Sequence, residues 1–235
     1  MNLYFLVEGK RSERKLYPAW LSYLLPELQK VSSYDQVDTK NYYLISGEGY
    51  PSIIYDFIPA SIEEINLSGK YQYFVVCLDA EEQTVTSVKN EIYTYLNSDP
   101  EKYSLSTIKL VLIIQNRCLE TWFLGNKRVF SRQPQSPILL EYMRHYNVSV
   151  DDPELMPKYS SFNTHAQFHF EYLKAIFSEK KICYSKKNPG EALQQYYLEQ
   201  LIARINQAPN HLETFRYFIS FCNTIKHEIQ LEVGS

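Results

Sequence analysis

Apolar residues fall into two kinds of pattern along this chain, and the change from one to the other divides it. Leu3–Val7, Asn41–Ile45, Tyr73–Leu78 and Ile108–Ile114 are short, nearly unbroken apolar runs. Such runs mark strands buried on both faces, as in parallel sheets. Between them the spacing is helical. Leu16, Trp20, Leu24 and Leu28 predict a helix capped by Ser12 and running to about Lys30. Ile54, Phe57, Ile58, Ile62 and Ile65 predict a second helix, started by Pro51, and a third spans about Thr84 to Leu96. This alternation predicts an α/β fold: a parallel sheet flanked by helices.

From about Glu120 the strand signal stops. Segments near 136–146, 164–179, 190–206 and 210–228 read as helices, punctuated by Pro134, Pro137, Pro153, Pro157, Pro189 and Pro209. The expected division is an α/β core over 1–125 and a helical region over 126–230 packed on it. The tail, 231–235, has the look of vector sequence.

Composition narrows the function classes. With 24 basic against 27 acidic residues the net charge is -3, so a nucleic-acid surface would have to be a local patch. Four cysteines without a CxxC pair argue against a zinc ribbon and fit reduced thiols. The opening Met1–Val7 has no basic leader, and no apolar run approaches the roughly 18 residues of a membrane span. A soluble, cytoplasmic protein without membrane association is expected. The 21 tyrosines suit interfaces, and the helical half could support a homodimer.

The strand ends carry the candidate chemistry. The first apolar run leads into Glu8-Gly9-Lys10-Arg11-Ser12-Glu13, the third into Asp79-Ala80-Glu81, and the fourth into Cys118-Leu119-Glu120. Carboxylates beyond the carboxyl ends of parallel strands face the crevice where open α/β sheets bind ligands. Oxygen donors in such number suit a hard cation, Mg²⁺ or Mn²⁺. Gly9 permits a sharp turn beside the first of them. Each acid also has a plainer reading: Asp79–Glu82 as the solvated start of a helix, Glu120 as a capping residue.

Together these segments resemble the Toprim fold of topoisomerases, primases and OLD-family nucleases. Val7–Tyr17, with its E-G-x-x-S-E opening, is most similar to the RloB-like branch, as are Asp79-Ala-Glu81 and Asn116-Arg-Cys-Leu-Glu-Thr-Trp122. The resemblance implies strands bearing Glu8 and Asp79 side by side in the sheet. It also implies Glu8, Asp79 and Glu81 as an inner metal site, and Glu13 and Glu120 serving a second ion. Glu81 stands where aspartate is commoner, with Glu82 able to substitute. Cys118 stands where serine is frequent and, as a poor Mg²⁺ ligand, is given no catalytic role.

The basic residues divide similarly. Lys10 and Arg11 border the first acidic turn and are candidates for holding phosphate. The densest basic stretch is Lys180–Lys187, where the resemblance implies a lysine that stabilises charge at the scissile phosphate. Lys186 matches best, and Lys187 is the rival. His165 and His169 have zinc-like i, i+4 spacing but no H-E-x-x-H pattern. A structural or surface role is favoured for both.

The function expected is a divalent-metal-dependent endonuclease cleaving phosphodiester bonds in DNA or RNA, an effector of anti-phage defence. The chain has no P-loop, so an ABC- or SMC-like ATPase is the implied partner. The competing expectation is a non-catalytic metal-binding regulatory or effector subunit of such an ATPase complex.

Overall fold

The computed structural model describes residues 1–234 and is an α/β protein with a five-stranded, all-parallel sheet and a helical C-terminal part. The strands are β1 (Asn2–Val7), β2 (Gln29–Lys30), β3 (Asn41–Ser46), β4 (Tyr73–Asp79) and β5 (Lys109–Gln115), in spatial order β2-β3-β1-β4-β5. Eight α-helices follow among the described residues: α1 (Glu13–Leu24), α2 (Ile58–Ser68), α3 (Val85–Asn97), α4 (Leu119–Phe123), α5 (Pro137–His145), α6 (His165–Glu179), α7 (Gln195–Gln207) and α8 (Glu213–Gly234). No helix among the described residues is long and apolar enough to cross a membrane.

The chain forms two compact units that do not follow a single cut near residue 125. The first comprises Met1–Leu78, Val85–Ile114 and α8 from Ser220 onward; the second comprises Asp79–Thr84 and Gln115–Ile219.

The first unit is the sheet with its helices. β1 lies between β3 and β4 in parallel register, with Val7 beside Ser46 on one side and Cys77 on the other. All six of its residues are buried, which explains why it reads as an unbroken apolar run. Leu16, Tyr17, Trp20 and Leu21 of α1 are buried. Ser12 does not cap α1 as expected: its side chain accepts no backbone N–H, and Oγ instead donates to the Glu13 carboxylate at 3.0 Å. The helix also stops at Leu24, because Pro26 cannot continue it, and Gln29–Lys30 pair as a strand with β3. A π-helical turn, Ile53–Phe57, precedes α2, which ends on Gly69 at φ 64°, the left-handed position glycine fills at no steric cost. The Tyr73 hydroxyl donates to Glu228 of α8 at 2.8 Å, and Lys109 pairs with the same carboxylate at 3.1 Å.

The second unit is helical and aromatic. Trp122 of α4 packs on Phe215 and Phe218 of α8 with ring centroids 5.4 and 5.9 Å apart, and its indole N–H donates to Thr214 Oγ1. Tyr142 of α5 meets Phe168 of α6 edge to face at 5.3 Å.

Candidate functional site

The candidate acids lie in both units. In the first, β1 and β4 are parallel neighbours, as the resemblance implied for the strands bearing Glu8 and Asp79. Glu8 follows the last residue of β1, and its N–H donates to the Cys77 carbonyl at 2.9 Å. Gly9 lies close to Glu13: a Cβ there would stand 2.3 Å from the carboxylate oxygens, the flexible end of that side chain, which would have to swing aside. Lys10, a candidate for substrate, is ion-paired with Glu48 at 2.6 Å, while Arg11 is exposed.

In the second unit, Asp79 closes β4 and the turn after it is tightly built. Ala80 N–H donates to the Gln115 carbonyl at 2.9 Å, and Glu81 N–H to the Arg117 carbonyl at 2.8 Å. The Arg117 guanidinium returns to the carbonyls of Glu81 and Gln83, at 3.2 and 2.8 Å. Glu81 itself sits at φ 50°, a left-handed conformation that costs a side-chain-bearing residue of order 1 kcal/mol or more. Its carboxyl is held above the ordinary range by burial, opposed by the Lys186 ammonium and reinforced by Glu120 and Glu82. The lysine chosen from the sequence is therefore electrostatically coupled to one of the acids chosen from the sequence.

Glu120 lies in the first turn of α4, a helix of five residues. It is only 2% exposed, and the buried Tyr184 hydroxyl donates to its Oε1 at 2.8 Å. Cys118 is the N-cap of that helix, with reciprocal bonds to Thr121. Burial, followed by the charges of Glu120 and Asp79, pushes the Cys118 thiol well above its usual range, so it remains a neutral thiol. Thr121 Oγ1 also meets Nδ1 of the fully buried His169 at 2.7 Å, and burial lowers the histidine to about 3, keeping the imidazole neutral.

Other candidates take structural parts. Glu82 accepts from His165 N–H at 2.6 Å and pairs with Nδ1 at 2.9 Å. Burial pushes its carboxyl up, but the His165 bonds outweigh that and the net shift is downward. Glu82 is thus occupied at the start of α6, and His165 and His169 each have a partner unrelated to zinc. Lys186 and Lys187 are exposed in the turn closed by the Ser185–Asn188 bridge.

The donors fit a hard cation in type: Asp79, Glu81 and Glu120 offer only carboxylate oxygen. Among the described residues no group of three or more His, Cys, Asp or Glu side chains stands in a metal-holding arrangement. Arg117, Thr121, His169 and Tyr184 form the support of this site; His169 was singled out in the sequence with a structural or surface role favoured, and the other three escaped that reading. Arg117 and Thr121 lie inside the 116–122 motif, which was the signal available for them. Comparison with family models, with curated proteins and with solved structures gives no match.

Proposed function

We propose that this chain is a divalent-metal-dependent endonuclease that hydrolyses phosphodiester bonds. The observation that carries the reading is that the turn closing the parallel strand β4 is bonded to the segment leading into α4, Ala80 N–H to the Gln115 carbonyl at 2.9 Å and Glu81 N–H to the Arg117 carbonyl at 2.8 Å, within one compact unit. Perturbed carboxyls beside a cation at the end of such a strand are common in functional sites.

Asp79, Glu81 and Glu120 do not stand in a metal-holding arrangement among the described residues, so on this reading they would have to draw together to hold Mg²⁺ or Mn²⁺. The ion supplies charge neutralisation at the non-bridging phosphate oxygens and a more acidic water. Lys186 meets negative charge developing on the phosphate. Tyr184 fixes one oxygen of Glu120, and Arg117 holds the Glu81 turn. The Toprim-like resemblance further proposes Glu8 and Glu13 of the sheet unit as metal ligands, and Glu8→Ala tests the first of them by itself. It also favours a cytoplasmic defence effector working beside an ATPase, since the chain has no P-loop of its own.

The test is cleavage of labelled DNA and RNA by the purified protein with Mg²⁺, Mn²⁺ or EDTA, alongside Glu8→Ala and Asp79→Asn. The expected result is cutting by the wild type with metal alone, with loss in both variants at an unchanged melting temperature. Metal binding without cleavage, in the presence of the ATPase as well as without it, would select the non-catalytic effector instead.

A further inference from the structure

A second charged feature lies wholly within the helical unit and belongs to none of the acids. Lys127, Arg128, Phe130, Ser131, Arg132, Gln133, Gln135 and Lys180 line an open cavity of about 800 Å³. Its charged lining is entirely basic, in a chain whose net charge is -3. Among the described residues none of the four cations is in an ion pair; Arg128 Nε donates to the neutral Gln200 at 3.3 Å. The one acid beside them in sequence, Glu179, is at the cavity's edge and makes no ion pair with them, its Oε1 accepting the N–H of the lining residue Gln135 and of Ser136.

The surroundings increase the positive potential. Arg204, 2% exposed, spends its guanidinium on the carbonyls of Gly125, Val148 and Asp151 and on His211 Nδ1. Partial burial, and then the charge of Arg204, lower the Lys127 ammonium from its usual range. Four cations lining one cavity, none of them ion-paired, attract an anion. Phe130, half-exposed among them, offers a ring face of the kind on which unpaired bases stack.

We infer that this cavity binds the phosphate backbone of single-stranded nucleic acid, with Arg128, Arg132, Lys127 and Lys180 on phosphates and Phe130 under a base. The polymer identity rests on the endonuclease reading, whereas the preference for a polyanion rests on the cavity alone. A basic wall with one partly exposed ring suits a flexible strand whose bases are free to turn outward, and a duplex has no unpaired base to place there.

The test is fluorescence anisotropy with labelled single-stranded DNA, single-stranded RNA and a DNA duplex of about twelve residues, in EDTA so that cleavage plays no part. Arg132→Ala/Lys180→Ala in the full chain should weaken single-strand binding by about tenfold or more. It should also flatten the log–log salt dependence by about 1.4, which is two contacts at ~0.7 each. Arg132→Lys/Lys180→Arg, which keeps the charge, should retain both affinity and slope, and Phe130→Leu should cost about tenfold at unchanged slope. The DNA and RNA arms identify the strand. Equal single-strand affinity and slope for the double alanine variant and the wild type would overturn the inference, as would competition by inorganic phosphate as effective as by the oligonucleotide. Cleavage by the wild type with no effect of these variants on binding refutes the cavity and leaves the nuclease; lost binding with no cleavage by any protein does the reverse.

Discussion

The two compact units bury different things. In the sheet unit the buried polar side chains are Asn2, Ser12, Asn41 and Ser61, all uncharged, and the core is otherwise apolar. In the helical unit Glu120, Asp152, Glu154, His169 and Arg204 are buried along with Gln115, Thr121 and Asn126. Every buried acid, imidazole and guanidinium among the described residues is therefore in one unit. Burying an ionisable group costs several kcal/mol unless it is partnered. A unit that carries five of them is organised around polar bonds in a way the sheet unit is not.

The largest test of this difference sets Leu6→Ala in β1 against Arg204→Leu in α7. Leu6 is 0% exposed, and its truncation should cost roughly 2–5 kcal/mol from lost burial and a cavity. Arg204→Leu keeps apolar volume but orphans three carbonyls, and should cost about 3–5 kcal/mol. Denaturant melts followed in both units should give comparable losses from opposite causes. If Arg204→Leu is near neutral, the polar organisation of the helical unit is incidental.

A pH test comes next. Burial pushes Glu154 up to about 7, against the bonds it accepts from Thr214. The folded protein therefore favours the protonated form. Its contribution, about 3 kcal/mol, is fully present below about pH 4.5 and is lost as pH rises through about 7. Glu154→Gln should remove this slope, measured as stability against pH between 4.5 and 7.5. Among its described residues the sheet unit has no buried acid to add one. An identical slope in the variant would show that Glu154 ionises freely in the fold.

The smallest effect sharpens the comparison most. Glu81→Gly removes a side chain from a left-handed position and a partly buried carboxyl from beside Glu120 and Glu82. It should stabilise the protein by about 1 kcal/mol while abolishing cleavage. Destabilisation would mean that Glu81 serves the fold.

The same contrast explains what could be read in advance. β1 and β4 were legible because strands buried on both faces leave unbroken apolar runs, β3 and β5 because their partly buried runs are still mostly apolar, and α2, α3, α5 and α6 because their periodicity is long enough to register. α4 was not, since five residues make too little periodicity. The strand Gln29–Lys30 was hidden because both residues are exposed and carry no pattern. Ser12 looked like a cap, but an adjacent carboxylate took its hydroxyl. At the candidate site the acids announced themselves by following strands. Their supports did not: Tyr184 meets Glu120 across 64 residues and His169 meets Thr121 across 48, pairings that only the fold creates.

The central claim is that the Asp79, Glu81, Glu120 and Lys186 group performs metal-dependent cleavage. Its most direct test is the single-turnover cleavage rate as a function of Mn²⁺ concentration for wild type, Glu120→Gln and Lys186→Ala. Gln keeps an acceptor for Tyr184 and so preserves α4. The account predicts a saturable metal dependence in the wild type and no measurable cleavage by a normally folded Glu120→Gln. Lys186→Ala should show a slower maximum at an unchanged half-saturating Mn²⁺ concentration. Wild-type rates in Glu120→Gln, or cleavage that persists in EDTA, would contradict it.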